Sequence, residues 1–522
     1  MQPSIPSASC AAETPDRERG HGVATNAWLA LLSALLLATA AISLHWRVNA
    51  DAAIMLFMAA AQQDAGLVIY RDLFDMNAPG AHLAYRAIVW LVGWHDLSLR
   101  LLDLSYLTAL MCVTAFAMRP FGRRVAWAAA VLTSLVYLGS GQTMSLQREF
   151  LLLVPTAVLL AVVLKPGSTP GHPRLSVPAA SLAGLCVGVA STIKPQAGLL
   201  LLVVLAALPT GRGASRGTLR LIGAAMAGAG VWWGLVASWL WVSGAWSSFV
   251  DMAVHYWPLY DAVTARPYRA VSGLPRLAYL ADGYVRSLSG PRGLWLAAAA
   301  CGIAVARIRG LPPGTVSAPL VVLAVVCACF PGVTGKFWGY HWLPFGYATM
   351  LLASLACVRG ARPLRWRYAG AAVLLLASLA LPFRAWKPDA RREAELRRVD
   401  RLSSWLAHRA QPGDLVQPLD WSGTALHAML LRGAPIATAL AEDVHLYHHA
   451  DNPFVQRLRT SFVRDLRRTR PRFILDVAAS GWAPSPDSQR PFRELAVVLS
   501  SDYQAVFEED GVTVYERTAP RR

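Results

Sequence analysis

A single carboxylate, Asp51, stands a few residues after the first long apolar run of the chain. It belongs to the sequence Asn49-Ala50-Asp51, so the end of a membrane-spanning element would hold it at the membrane surface. A carboxylate fixed there can act as a general base that accepts a proton from a hydroxyl nucleophile. The alternative is that Asp51 caps a helix starting at Ala52, because Asp is favoured at such a position. On residue type alone, capping is the commoner role.

A second polar cluster lies in the stretch 70–80, which ends in Pro79-Gly80. Its carboxylates can accept hydrogen bonds from sugar hydroxyls, and its aromatic rings can stack on the faces of sugar rings. The same stretch also suits an ordinary surface turn, because Asp, Asn, Pro and Gly are common turn residues. The motif alone does not decide between these interpretations. The candidate substrate-binding residues are Tyr70, Arg71, Asp72 and Asp75.

Three short connections place a cation beside aromatic or apolar neighbours at the end of an apolar run. A cation there suits the phosphate of a lipid-linked substrate, with the charge at the head group and the lipid in the bilayer. The alternative is a set of interfacial anchors, since Lys, Arg, Trp and Tyr are common at membrane boundaries. The candidate phosphate ligands are Arg148, Lys194, Lys336 and His341, and Glu149 and Tyr340 beside them are candidate substrate ligands.

The elements that must position these residues are membrane helices. Among the 522 residues, 55% are hydrophobic, only 15% are charged and the mean hydropathy is +0.39. Apolar runs of roughly 15–25 residues recur, which is about the length that crosses a bilayer. A formal net charge of +18 would suggest a nucleic-acid partner in a soluble chain. Here the arginines lie in short loops between apolar runs, so the positive-inside rule explains them and no nucleic-acid partner is expected.

We predict an all-α polytopic membrane domain over residues 26–386, with about eleven transmembrane helices plus interfacial helices. Residues 1–25 are expected to be a disordered cytoplasmic N-terminus, and the first outer loop covers 47–97. The apolar run 26–46 lacks a signal-peptide cleavage pattern and is expected to stay as the first span. The predicted spans are 26–46, 98–117, 125–140, 149–164, 176–193, 196–208, 219–243, 292–306, 317–333, 341–357 and 368–385.

The topology depends on the apolar segment 80–94, which is short and contains His82 and Arg86. If it lies in the interface, five loops carrying fourteen Lys and Arg and no acidic residue all face the cytoplasm. The positive-inside rule favours that arrangement. The N-terminus is then cytoplasmic, and Asp51, the cations and the C-terminal part are extracytoplasmic.

Residues 387–522 are expected to form a separate soluble extracytoplasmic α/β domain that packs on the membrane part or docks an acceptor. Its pattern predicts helices over 391–410 and 454–470, strands over 414–418 and 472–477, and a hairpin over 506–516. The sequence shows no phosphate loop, nucleophile elbow or metal-ligand spacing. The seven cysteines are scattered and none follows Cys357, so no disulfide, metal site or cofactor is expected.

In the order and sidedness of these motifs the chain resembles the C superfamily of integral-membrane glycosyltransferases, near family 39. That group includes protein O-mannosyltransferases, aminoarabinose transferases of lipid A and lipopolysaccharide sugar transferases. The residues that carry the resemblance are Asp51, the stretch 70–80, Gln147-Arg148-Glu149, Lys194-Pro195 and Tyr340-His341.

The resemblance implies transfer of a sugar from a polyprenyl-phosphate donor to a glycolipid, polysaccharide or protein hydroxyl at the outer face of the plasma membrane. Asp51 would be the base of an inverting displacement, and Arg148, Lys194, Lys336 and His341 would neutralise the departing lipid phosphate. Asp72 and Asp75 would orient substrate, and no metal is implied. Two alternatives stay open. One is a transporter or flippase of lipid-linked sugars, and the other is a non-enzymatic membrane scaffold.

Overall fold

A computed structural model describes residues 15–518 apart from 166–174, 209–215, 265–270, 311–317, 359–367, 380, 388 and 479–491. The disorder predicted for residues 1–14 therefore lies outside the described residues, as do several arginines of the predicted cytoplasmic loops. The first helix, α1, spans Pro15–Ile42. The disorder predicted for residues 15–25 stays a prediction.

Four helical stretches in the described part are long and apolar enough to cross a membrane. They are Thr25–His45, Asp96–Phe121, Arg216–Val242 and Pro291–Ile308. The first includes the C-terminal part of α1, and the others include α4 (Asp96–Met118), α10 (Arg216–Val242) and α14 (Pro291–Ile308). The number of spans remains a prediction. Shorter helices occupy the other predicted spans: α5 (Arg123–Gly139), α6 (Arg148–Leu151), α7 (Leu153–Val163), α8 (Val177–Ile193), α9 (Leu201–Ala206), α15 (Ala318–Thr334), α16 (Leu343–Ser354) and α17 (Ala369–Leu379).

The predicted span 149–164 is divided into α6 and α7, with Pro155 in the first turn of α7. A proline has no N–H to donate to the carbonyl four residues earlier, which here belongs to Leu151. The hydroxyl of Tyr106 donates to that carbonyl instead. The break therefore leaves the buried Leu151 carbonyl satisfied, as a low-dielectric interior requires.

The first outer loop folds into two helices, α2 (Ala50–Asp64) and α3 (Pro79–Val92). α3 corresponds to the segment predicted to lie in the interface. It buries His82 and Tyr85 and leaves the apolar side chains of Trp90 and Leu91 exposed. An exposed apolar face suits a helix that lies along a membrane surface. Gly80 packs against α8 so closely that a Cβ there would come within 2.4 Å of Thr192 Oγ1, which fixes α3 against the helix bundle.

Three further helices, which the sequence analysis did not predict, connect α10 to α14. They are α11 (Trp246–His255), α12 (Trp257–Ala262) and α13 (Gly273–Leu288). In α11, Trp246, Val250 and Val254 are exposed while Phe249 and Met252 are buried. The sequence did not predict this helix, because its apolar residues lie on two faces and the segment is shorter than a membrane span.

The C-terminal part contains a sheet of four strands, β1 (Val416–Leu419), β2 (Phe473–Val477), β3 (Tyr503–Glu509) and β4 (Val512–Arg517). Their order in the sheet is β1-β2-β4-β3. Strands β1 and β2 are parallel, and the other neighbours are antiparallel. The β3–β4 turn has positive φ at both Asp510 and Gly511, as a two-residue type I′ hairpin requires. The predicted helices are present as α18 (Ala390–Arg409) and α20 (Pro453–Thr469), and the predicted strands and hairpin as β1, β2 and the β3–β4 pair. Two further helices were not predicted, α19 (Thr424–Arg432) and α21 (Arg493–Asp502).

The C-terminal part packs against the helices of residues 47–97 and against α11. Its buried residues form one hydrophobic cluster with those of α2, α3 and α11. The backbone N–H of Phe74 donates to the carbonyl of Ala439 at 2.7 Å, and the hydroxyl of Tyr256 lies 2.6 Å from Nδ1 of His445. The outer loop needs this cover because the apolar face of α2 would otherwise be exposed to water.

Candidate functional site

Asp51 lies in the first turn of α2, but a neighbouring residue caps that helix. The side chain of Asn49 accepts a hydrogen bond from the N–H of Ala52 at 3.0 Å. The capping role considered for Asp51 is therefore wrong. Its carboxylate instead lines a cavity of about 480 Å³, where Oδ2 accepts a 3.0 Å hydrogen bond from Nε2 of Gln147.

Arg148 begins α6 and lines the same cavity as Asp51. Its residue surface is only 8% exposed, and within the described part of the chain its Nε has no hydrogen-bond partner. A buried guanidinium with an unused donor is costly unless a ligand completes its hydrogen bonding. Arg148 is thus placed to bind an anion that enters the cavity.

Lys336 is a second cation on the wall of this cavity. It is 3% exposed, and its ammonium donates to the carbonyls of Tyr260 and Val263, each at 2.8 Å. The ammonium also lies 4.2 Å from the centre of the Tyr260 ring. Burial lowers the pKa of Lys336 to about 7, although the negative charge of Asp261 opposes that effect. Because an anion beside it would favour the charged form, the site is suited to a phosphate.

Glu149 lies behind the cavity and holds two of the predicted phosphate ligands. Its Oε1 is 2.9 Å from Nζ of Lys194 and 3.4 Å from Nε2 of His341. Glu149 is 1% exposed and lines neither of the cavities described here. Both contacts fall on Oε1, and among the described residues Oε2 has no hydrogen-bond partner. The role of Glu149 in binding substrate stays a prediction.

A second cavity, of about 170 Å³, adjoins the first and contains the remaining predicted cations. Both cavities are lined by Arg148, Lys336 and Tyr340. Lys194 and His341 line only the smaller one, whereas Asp51 lines only the larger one. The structure therefore brings the carboxylate and the four predicted phosphate ligands to two adjacent cavities that share a cationic wall.

The predicted sugar-binding stretch has a different placement. Tyr70 is buried with φ of 67°, and its hydroxyl donates to the carbonyl of Asn77. The fully buried Asp75 accepts hydrogen bonds from the backbone N–H and the side-chain amide of Asn77, at 2.6 and 2.7 Å. Neither Tyr70 nor Asp75 lines the two cavities. Their contact with substrate stays a prediction, and in the structure their polar groups fold the loop that presents Asn77 to both cavities.

Arg71 and Asp72 also lie away from the two cavities. They form an ion pair of 2.8 Å at the surface, and Arg71 donates to the carbonyl of Ser243 at 3.2 Å. Hydrogen bonding from Arg71 lowers the pKa of Asp72. Their contact with substrate likewise stays a prediction, and in the structure each is the ion-pair partner of the other.

Several cavity residues were missed by the sequence analysis. Tyr260 comes from α12, and Trp421, Glu442 and His448 come from the C-terminal part. They lie far along the chain from Asp51, and no local motif marks them. Arg384 and Arg391 also line the larger cavity and add to its positive charge. Across the described residues, no group of three or more His, Cys, Asp or Glu side chains is placed to hold a metal ion.

No protein-family model and no curated protein sequence matches this chain. Among solved structures, it is similar to ArnT from Cupriavidus metallidurans, with 16% identity, a TM-score of 0.43, and coverage of 95% of this chain and 98% of ArnT. A second ArnT structure, bound to undecaprenyl phosphate, gives a TM-score of 0.44.

The chain is also similar to the oligosaccharyltransferase AglB from Archaeoglobus fulgidus in complex with an inhibitory peptide and a dolichol-phosphate. That identity is 12%, the TM-score is 0.45, and the match covers 94% of this chain and 75% of AglB. The arabinofuranosyltransferase AftD from Mycobacteria matches at 15% identity and a TM-score of 0.45, over 94% of this chain and 41% of AftD. These neighbours belong to the C superfamily of glycosyltransferases. The roles of individual residues are therefore inferred from contacts within this chain and not from these neighbours.

Proposed function

We propose that this protein is a membrane glycosyltransferase that moves a sugar from a polyprenyl-phosphate donor to an acceptor hydroxyl. The observation that carries the proposal is the shared cavity of Asp51, Arg148 and Lys336. A carboxylate beside two buried cations suits a reaction in which a hydroxyl loses a proton while a phosphate departs.

In the proposed reaction, the acceptor hydroxyl attacks the anomeric carbon and its proton passes to the carboxylate of Asp51. The bond between the anomeric carbon and the phosphate oxygen breaks, and the polyprenyl phosphate leaves with the electron pair. Arg148 and Lys336 stabilise the negative charge on that phosphate. Since one displacement forms the new bond as the old one breaks, the anomeric configuration inverts.

Lys194 and His341 support the same step from the smaller cavity. The charge of Lys194 is balanced by Glu149, so this lysine can approach a phosphate without the cost of an isolated buried cation. The imidazole of His341 lies 3.4 Å from the same carboxylate oxygen. We place the site at the outer face of the plasma membrane, with the N-terminus in the cytoplasm and the C-terminal part outside. The charge distribution of the loops supports this topology.

A deletion strain tests the proposal whichever sugar is transferred. Loss of the protein is expected to remove one sugar from an envelope glycan or glycoprotein and to increase one polyprenyl-phosphate sugar, both measured by mass spectrometry. Wild-type protein is expected to restore both masses, and Asp51→Asn is expected to restore neither. Unchanged glycans together with unchanged polyprenyl lipids in the deletion strain would contradict the proposed reaction.

A further inference from the structure

One wall of the 480 Å³ cavity is built by the C-terminal part of the chain through Trp421, Glu442, Val444 and His448. We propose that this wall recognises the sugar of the donor, with Glu442 as the group that hydrogen-bonds its hydroxyls. This inference rests on the proposed function and extends it, because it names the part of the chain that determines which sugar is used.

The segment that carries Glu442 is fastened to the outer helices on both sides. Before it, the carbonyl of Ala439 accepts from the N–H of Phe74 at 2.7 Å. After it, Nδ1 of His445 lies 2.6 Å from the Tyr256 hydroxyl, and Nε2 of His449 lies 3.0 Å from the carbonyl of Leu259. A recognition group must be held within a fraction of an ångström to discriminate between ligands, and these contacts provide such support.

The charged groups of the cavity indicate separate places for the phosphate and the sugar of the donor. The phosphate is expected beside Arg148 and Lys336, which line both cavities. Glu442 lines only the larger cavity, and a carboxyl group is a poor neighbour for a phosphate. It suits sugar hydroxyls, which both donate and accept hydrogen bonds. The ring of Trp421 adds an aromatic surface of the kind on which sugars stack.

Two of these groups are held in their neutral forms. Burial, followed by the negative charges of Asp75 and Asp51, raises the pKa of Glu442 well above its usual value. Burial lowers the pKa of His448 to about 3, with the nearby His445 acting in the same direction. A neutral carboxyl group and a neutral imidazole each donate one hydrogen bond and accept another, which matches the pattern of a sugar hydroxyl.

The test compares two classes of lipid on the same protein. Purified wild type and variants are incubated with a polar lipid extract from the source organism, and bound polyprenyl lipids are measured by native mass spectrometry. The readout is the ratio of polyprenyl-phosphate sugar to bare polyprenyl phosphate. Glu442→Ala is expected to lower this ratio about tenfold, as loss of a buried hydrogen bond predicts, while binding of the bare lipid persists. Glu442→Gln can still donate and accept, and is expected to keep most of the preference.

Asp443→Asn is the matched control, because Asp443 is the adjacent carboxyl group and does not line the cavity. It is expected to keep the wild-type ratio, and Trp421→Leu should lower the ratio as a second test of the same wall. An unchanged ratio in both Glu442→Ala and Trp421→Leu overturns the inference about the sugar-binding wall but leaves the proposed function standing. Equal loss of both lipids in Glu442→Ala, with normal binding by Asp443→Asn, also overturns it. A wild-type protein that enriches no sugar-bearing lipid contradicts the proposed function itself.

Discussion

Gln147 donates a 3.0 Å hydrogen bond from Nε2 to Oδ2 of Asp51 across the interface between α2 and the turn before α6. The other amide hydrogen is used as well, because Nε2 also lies 3.1 Å from the carbonyl of Thr143. Gln147 is thus fixed in orientation, and it holds the carboxylate while leaving it open to the cavity. We interpret Gln147 as a positioning residue for the proposed base.

Replacement of this residue should lower the rate without weakening donor binding. Gln147→Leu removes a hydrogen bond that orients the Asp51 carboxylate. The kcat is expected to fall by about tenfold, with the KM for donor nearly unchanged. Steady-state kinetics measure this effect. A raised KM together with a loss of folded protein would indicate a structural role instead.

Asp51→Asn should abolish transfer while donor binding persists. Asparagine keeps the size of the side chain but cannot take up a proton at neutral pH, so the rate should fall by roughly 10²–10⁴-fold. The helix should remain intact because Asn49 is its cap. Asp72→Asn is the control, since its surface pair with Arg71 contributes little to stability. A dead Asp72→Asn protein beside an active Asp51→Asn protein would move the base to Asp72.

Lys336→Ala should weaken use of the donor without loss of folded protein. A hydrogen bond to a charged group is worth about 1.5–3 kcal/mol, so kcat/KM for donor should fall by roughly 10- to 150-fold. Size-exclusion chromatography and thermal unfolding check the fold. Normal donor efficiency in a normally folded variant would leave Lys336 as an interfacial anchor.

The lowered pKa of Lys336, about 7, predicts how donor affinity depends on pH. The charged form is lost as pH rises through the pKa in the free protein, so the KM for donor should increase above pH about 7, approaching tenfold per pH unit. Lys336→Arg stays charged in this range and is expected to have a flatter profile. An equally steep increase in that variant would assign the pH dependence to another group.

The proposed topology can be tested at two exposed positions. Ser404 lies in α18 and Gly217 in the first turn of α10, where residues are exposed. In a cysteine-free background, Ser404→Cys is expected to react with a membrane-impermeant maleimide added from outside, and Gly217→Cys only after the membrane is opened. The reverse pattern would place the proposed site in the cytoplasm.

The positions of the cations were predictable because each follows or precedes an apolar run on the same predicted side. Arg148, Lys194 and Lys336 are far apart in sequence, yet alternation of helices across a membrane returns the chain to one face. That regularity is visible in the sequence alone. The order of secondary structure near the C-terminus was predictable for a similar reason, since hairpin and helix patterns are local.

Other parts of the site depend on packing that no local pattern records. Glu442 reaches the cavity because the C-terminal part folds back over α2, and this depends on contacts such as that of Phe74 with Ala439. Asp72 and Asp75 have the residue types of a sugar site, yet their hydrogen bonds are used within the loop. Whether a side chain faces a cavity depends on the folded backbone, which residue type does not record.

The common core of α2 and the C-terminal part has a consequence for biogenesis. α2 leaves the ribosome early, whereas β2, which shares its hydrophobic cluster, is made only near the end of translation. At about 5–20 residues per second, the apolar face of α2 waits for tens of seconds before its cover is made. A nascent or truncated chain therefore contains Asp51 but lacks the cavity wall that Trp421, Glu442 and His448 form.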